Sequence, residues 1–231
     1  MYCYKAKLKN LLIYISPANG FTEEHETLTK IQIDNSLELG WKVEDIVLAM
    51  NFPYEYRNVK AVVLEGDFNA FDGNRSSKIP AINKMFEMGL INDLMWFHDH
   101  DAFQLEPFDA PDIGTEVAAF TDHGYSGLWN AGSFFFNSKA SKLFKDIYKV
   151  MLEKNLTEQY ALTDMWSQGL KSMMLNNAYN VGIYRHDKIL PKLNSPMLVA
   201  HFHPSKSKHF NLFRKFLPER LISIFNKYDI K

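Results

Sequence analysis

Cysteine is nearly absent from this chain: Cys3 is the single one in 231 residues. One thiol excludes an intrachain disulfide and every cysteine-rich zinc site, and this usage fits a reducing compartment. Long hydrophobic runs are missing too. The first, Leu11 to Ile15, is closed at once by Ser16 and Pro17, and no run approaches the ~20 apolar residues of a membrane-spanning helix. Lys5, Lys7 and Lys9 precede it, but so short a run does not make the apolar segment of a leader. A surplus of one charge sign is also lacking, since 26 basic residues face 27 acidic ones for a net charge of −1. A general nucleic-acid binder, whose phosphate contacts demand a basic surface, is therefore not expected. Nor is there an internal repeat, a low-complexity tract or a linker that would separate a second domain. These absences predict one soluble domain working in a cytoplasm, without a membrane span or a nucleic-acid partner.

What is present is a globular composition, 46% hydrophobic and 14% aromatic, with enough phenylalanine to fill a core. Apolar runs bounded by turn formers predict strands at 11–15, 45–50, 61–64, 93–101, 117–120, 133–136, 181–184 and 198–202. Helices fall between them. Thr22 is placed to cap a helix with Glu23, Glu24 and Glu26 in its first turn and Gly40 at its end. Ser76 or Ser77 caps a second, with Pro80 in its first turn, Ile79, Ile82 and Phe86 on one face and Gly89 as its stop. Asn137 or Ser138 caps a third, whose Lys142, Lys145 and Lys149 face water. Thr157 caps a fourth that runs to about Leu175, with Leu162, Trp166, Leu170 and Met173 as a core stripe. From Phe210 to Tyr228 an apolar and basic tail keeps helical period. This alternation predicts an α/β fold: a single Rossmann-like domain with a central, mostly parallel mixed sheet flanked by helices. Ligands of such sheets bind outside the carboxyl ends of the strands. Asp67, Asp99, Asp101, Trp129 and the Gly-rich loop 121–127 all fall near such ends.

The run from Asp93 to Asp101 ends in two carboxylates one residue apart. On a strand Asp99 and Asp101 project to one side and His98 and His100 to the other, so the histidines read as hydrogen-bonded structural groups. Two carboxylates aimed together repel unless a cation lies between them, and hard oxygen ligands favour Mg²⁺ or Mn²⁺. Downstream, His201-Phe202-His203-Pro204-Ser205-Lys206-Ser207-Lys208 follows another apolar strand. An imidazole completes such a metal site, and two lysines beyond it supply charge for a diphosphate.

The order of these motifs resembles glycosyltransferases of the GT-A fold, and within them glycosyltransferase family eight, the glycogenin and galactosyltransferase group. The resemblance rests on Asp99-His100-Asp101, on Asn130-Ala131-Gly132 with the apolar strand that ends at Asn137, on Glu158-Gln159, and on His201-Phe202 with Lys206 and Lys208, in that order. It spans roughly residues 93 to 210. The compact size also looks like the small glycosyltransferases encoded by chlorella viruses, and for a viral protein that resemblance implies a host cytoplasm. The resemblance implies a nucleotide-binding half, 1–101, and an acceptor and sugar half, 102–231. It implies transfer of a sugar from a nucleoside diphosphate sugar to a hydroxyl of a glycan or glycoprotein, with Mn²⁺ or Mg²⁺ held by Asp99, Asp101 and His201. Lys206, Lys208, Lys78 and Arg75 would serve the phosphates, Pro17 and Ala18 the base, and Asn130 and Gly132 the donor sugar. Glu158 and Gln159 would lie near the anomeric carbon.

The chain departs from the family's pattern in three places. Glu158 and Tyr160 stand where the family has aspartates, and His203-Pro204 replaces a glycine step. His203 therefore competes with His201 as the third ligand, with alignment favouring His201. For an inverting enzyme, Asp122, Glu158 and Asp164 compete as the base that deprotonates the acceptor. Two other classes compete with this reading. One is a metal-dependent phosphohydrolase using 98–101 as a ligand cluster, and the other is a non-catalytic carbohydrate-binding or capsid-associated protein of the same fold.

Overall fold

The computed structural model describes residues 7–68, 77–122, 128–170 and 172–230. Arg75, Ser76 and residues 123–127 lie outside them. The strands are β1 (Leu8–Tyr14), β2 (Ile46–Met50), β3 (Glu55–Tyr56), β4 (Val59–Val63), β5 (Leu94–His98), β6 (Ala102–Gln104), β7 (Ala118–Asp122), β8 (Trp129–Phe136), β9 (Met173–Met174), β10 (Val181–Gly182) and β11 (Val199–His201). The helices are α1 (Glu23–Glu38), α2 (Lys78–Glu87), α3 (Ser141–Lys154), α4 (Glu158–Ser167), α5 (His186–Ile189), α6 (Ser207–Phe213) and α7 (Glu219–Lys227).

Among the described residues the main sheet has the order β3-β4-β2-β1-β5-β8-β7-β9, and a smaller one the order β10-β11-β6. β1 runs parallel to β2 and β5, and β2 parallel to β4. β8 runs antiparallel to both β5 and β7. The result is the single α/β domain with a mixed sheet that the alternation predicts. Every residue of β5 and of β8 is buried, as strands covered on both faces require. α2 and α3 pack Ile79, Ile82, Phe144 and Ile147 into one cluster with Phe97, Phe134 and Phe136 of the sheet. A second cluster joins Phe103 and Phe202 to Phe210 and Phe213 of α6 and Phe225 of α7. Most of the phenylalanines are buried in this way, each contributing roughly 1.5–3 kcal/mol relative to exposure.

Several boundaries differ from expectation, each for a local reason. Thr22 does cap α1, accepting from the His25 N–H at 3.3 Å, and Gly40 follows with φ +90°. Ser77 sits at the cap position of α2 with helical backbone and makes no side-chain cap bond. α3 begins at Ser141 rather than beside Asn137, because the Asn137 side chain accepts the Lys139 N–H at 2.9 Å and makes a turn first. α4 stops at Ser167, where Gly169 at φ +95° turns the chain out of the helix. Met173 then joins an edge strand parallel to β7 instead of extending the helical stripe. Pro218 divides the tail into α6 and α7, since it has no N–H to continue a helix.

Candidate active site

β5 ends at His98, one residue short of the acidic pair. The Asp99 N–H bonds the Gly132 carbonyl at 2.8 Å and the Asp99 carbonyl accepts from the Ala102 N–H at 2.9 Å, so the chain turns there and enters β6 of the second sheet. The expected strand alternation of Asp99 and Asp101 is thus replaced by a turn. Gln32 on α1 pins it, its Nε2 donating to the His100 and Ala102 carbonyls at 2.9 Å each. β11 pairs antiparallel with β6 and sets His201 opposite Ala102. This register brings the His201 ring to the carboxylates: Nε2 is 3.2 Å from Asp101 Oδ1 and 3.9 Å from Asp99 Oδ2. One ligand atom from each of Asp99, Asp101 and His201 lies within 4.8 Å of the others. His203 approaches the other oxygen of Asp101, Nδ1 to Oδ2 at 3.3 Å.

Two neighbours prepare the cluster for a cation. His201 Nδ1 bonds Oδ1 of the fully buried Asn180 at 3.1 Å, which fixes the ring with Nε2 towards the carboxylates. Lys78 Nζ takes Asp99 Oδ1 at 2.6 Å and lies 3.5 Å from Glu158 Oε1, which leaves Asp99 Oδ2 facing His201. Two carboxylate oxygens and an imidazole nitrogen then face one another, and this donor set fits Mn²⁺ or Mg²⁺. Gly132 makes the arrangement sterically feasible, because a Cβ there would overlap the His201 ring.

The charges follow from these contacts. Burial alone would lower the Lys78 pKa, but Asp99 and then Glu158 outweigh it and push it up to about 12. Burial likewise lowers that of His201, and the Asp101 carboxylate more than compensates, raising it. Burial raises Asp99 against the pull of Lys78 and His201. Asp101 ends below the usual carboxylate range, since His201 and His203 together exceed its burial cost. His98 is structural, as expected: its Nδ1 bonds the Ala102 carbonyl at 2.9 Å and its Nε2 bonds Asn10 Oδ1 at 2.8 Å. With both nitrogens engaged it has none for a metal, which removes the basis for a phosphohydrolase cluster over 98–101. Burial brings its pKa down to about 4. His100 differs from expectation, for its buried Nε2 has no hydrogen-bond partner.

A cleft of about 430 Å³ opens on this cluster, lined by Tyr14, Lys78, Asp99, His100, Asp101 and Glu158 among others. A smaller cavity of about 140 Å³ adjoins it through Asp101 and His203 and is lined by Asn130, Gln159, Tyr184 and His201. Glu158 opens α4 with Oε2 buried and unpaired. Asn130 Oδ1 accepts the Gly132 N–H at 3.0 Å. Pro17 and Ala18 are exposed in the loop after β1. Lys206 and Lys208 are exposed at the start of α6 and line neither cavity.

Other expected residues lie apart. Asp164 is six residues along α4 from Glu158, about 240° around the helix, and pairs with Lys154 at 2.7 Å. Asp122 ends β7 and accepts from Asn177 Nδ2 at 2.9 Å. Asp67 lines a separate groove with Lys84 and Lys145. Trp129 packs between Phe120 and Trp166 in the core. Asn10, Gln32 and Asn180 were not anticipated, because isolated amides carry no periodicity or motif that marks them.

No protein-family model matches the chain, and no curated protein matches it. Solved structures do. GlyE, a glycosyltransferase of Streptococcus pneumoniae TIGR4, is 14% identical with a TM-score of 0.60 over 97% of this chain, which spans 64% of the GlyE chain. A glycosyltransferase involved in glycosylation of the major capsid of PBCV-1 is 12% identical with a TM-score of 0.54, over 90% of this chain and 98% of that one. An active-site mutant of LgtC, named a galactosyltransferase in its complex with donor and acceptor sugar analogues, is 10% identical with a TM-score of 0.64 over 95% of each chain. The chain has the GT-A glycosyltransferase fold.

Proposed function

We propose that the protein is a metal-dependent glycosyltransferase that moves a sugar from a nucleoside diphosphate sugar to a hydroxyl of a glycan or glycoprotein. The observation that carries this reading is the facing of Asp99 Oδ2, Asp101 Oδ1 and His201 Nε2 beside Lys78, at a cleft of about 430 Å³. Asp99, Asp101 and His201 would hold a divalent cation, which would supply positive charge against the negative charge that grows on the departing diphosphate. Lys78 keeps Asp99 oriented and adds a fixed positive charge. In the transfer the bond from the anomeric carbon to the diphosphate oxygen breaks and a bond to the acceptor oxygen forms. The acceptor's proton leaves to a base or to the departing diphosphate. Glu158, with an unpaired buried oxygen next to Lys78, is better placed for a role at the reacting carbon than Asp122 or Asp164, whose side chains are engaged elsewhere. Gln159 and Asn130 share the small cavity past Asp101, a position suited to sugar hydroxyls. Lys206 and Lys208, on the exposed start of α6 after His203, are suited to meet a diphosphate only at the outer rim of the cleft.

Calorimetry tests the reading. Binding of uridine or guanosine diphosphate that requires Mn²⁺ is expected, and absence of binding at every metal concentration would sink it. Slow hydrolysis of a donor sugar without acceptor separates an enzyme from a sugar-binding protein of the same fold.

A further inference from the structure

Charge is balanced over the whole chain and unbalanced in one part of it. Of the 27 acidic residues only Asp187 falls between 184 and 216, against seven lysines and arginines. Pairing differs as well. Lys9, Lys30, Lys142 and Lys154 each meet a carboxylate at 2.5–2.8 Å. Lys188, Lys206, Lys208, Arg214 and Lys215 are exposed and pair with no carboxylate among the described residues. Unpaired like charges gathered on one surface repel one another, and an anionic partner relieves that repulsion.

The fold does gather them. The chain entering α5 packs on α6 through Tyr184 and His209, with ring centres 5.8 Å apart, and through His186 and Phe213 at 5.9 Å. α6 then runs into the short turn Arg214–Phe216. Ile183, Ile189, Phe210 and Phe213 from these segments enter one core cluster, which leaves the basic side chains on its outer side. Two aromatic rings stand among them. Tyr184 is 76% exposed, and Phe216 is 37% exposed with Lys215 Nζ 4.8 Å from its ring centre. A polyanion dissolved in water is met by the cations alone and gives Phe216 nothing to enter. At a lipid surface the ring enters the headgroup layer while the ammonium and guanidinium groups meet phosphates and carboxylates. We propose that the surface formed by α5, α6 and the Arg214–Phe216 turn attaches the protein to the face of an anionic membrane, without crossing it. Tyr184 and Arg185 also line the 140 Å³ cavity beside Asp101, so the attachment brings that cavity to the lipid surface.

Vesicle sedimentation tests the proposal on the protein alone, without metal or nucleotide, so its result is independent of the glycosyltransferase reading. At about 0.1 M salt the unaltered protein is expected to bind phosphatidylcholine vesicles carrying about 30 mol% phosphatidylserine at least about tenfold more tightly than pure phosphatidylcholine vesicles. That preference should vanish at about 0.5 M salt. Arg214→Gln combined with Lys215→Gln is expected to weaken binding to the anionic vesicles about 25-fold, about fivefold for each charge removed near the surface. Phe216→Ser should weaken it about fivefold and leave binding to soluble heparin unchanged, since only a membrane takes up the ring. Equal binding of both vesicles by the unaltered protein overturns the proposal, as does anionic binding that survives the double substitution. Heparin binding without vesicle binding also overturns it, and would assign the patch to a soluble polyanion.

Discussion

Asp34 and Asp101 are both carboxylates drawn into the protein, and their neighbours differ in kind. Around Asp34, 4% exposed, the contacts are donors: Lys227 Nζ at 2.5 Å, the Tyr228 hydroxyl at 2.9 Å, the Tyr56 hydroxyl at 3.3 Å and Arg57 Nε at 3.3 Å. They reach it from α7, β3 and the turn after β3, so Asp34 ties the C-terminal helix to α1. Around Asp101 stand Asp99 and the rings of His201 and His203, and the nearby ammonium of Lys78 is spent on Asp99. One carboxylate is saturated with protons from its surroundings. The other shares its surroundings with a second carboxylate and two imidazoles, a donor set that a cation completes. Partner chemistry, rather than burial, separates a staple from a site, and substitutions at the two carboxylates and around them should divide along that line.

The largest effect belongs to Asp101. Asp101→Ala should weaken Mn²⁺-dependent binding of a nucleoside diphosphate by at least about a thousandfold, roughly 4 kcal/mol. It should also lower the unfolding midpoint of the metal-free protein, because His201 and His203 lose the carboxylate they hold ionised. Tight metal-dependent binding by the variant would remove Asp101 from the ligand set and erase the contrast with Asp34.

Acid reaches the same region through its histidines. Burial holds His98 near about 4 and His100 near about 3, both below the ~6.5 of an unfolded chain. Below pH ~6.5 the unfolded chain therefore binds protons that the fold refuses. Stability is lost as the pH falls from about 6.5 through about 4, by roughly 3 kcal/mol for His98 alone. Urea unfolding across this window measures the loss, and His98→Phe should flatten it in part. A flat profile for the unaltered protein would mean that neither ring is held neutral.

Much of the frame was legible because it depends on local chemistry. Thr22, Gly40 and the apolar runs mark α1 and the inner strands through capping, backbone conformation and burial, which act over a few residues. The small sheet was less legible. β6 and β10 are three and two residues long, and the turn at Asp99 is set by the Gly132 carbonyl on another strand. Motif order placed Asp99, Asp101 and His201 in one region, the helix before the metal strand added Lys78, and the structure brings these four together. It gave no sign of Asn180, or that Gly132 makes room for a ring from β11, since both facts arise only when distant strands pair. Sequence likewise gave no way to rank the three competing carboxylates, since only the folded helix shows Asp164 turned about 240° from Glu158 and paired with Lys154.

Removing the staple tests the other half of the contrast. Asp34→Ala leaves two tyrosine hydroxyls that still bond each other at 2.8 Å, and Lys227 and Arg57 are more than half exposed and turn to water. The cost is therefore moderate, about 2 kcal/mol, read as a lower urea midpoint. Nucleotide affinity with Mn²⁺ should not change. A loss of metal binding without a loss of stability would reverse the roles assigned to the two carboxylates.

The finest distinction rests on Asn180, which touches neither carboxylate and acts through His201. Asn180→Leu keeps the volume and removes the acceptor for the Nδ1 proton, so the ring is free to present either nitrogen to the cluster. Mn²⁺ affinity, followed by the paramagnetic resonance of the free ion, should fall about tenfold, the low end for partners that orient a ligating histidine. Asn180→Asp keeps an acceptor at the same place and adds charge that makes Nε2 more basic, so it should retain or exceed the original affinity. A purely structural asparagine would predict the reverse, because an added buried charge damages packing more than leucine does. The order of the two variants therefore decides whether Asn180 aims the histidine or only fills space behind it.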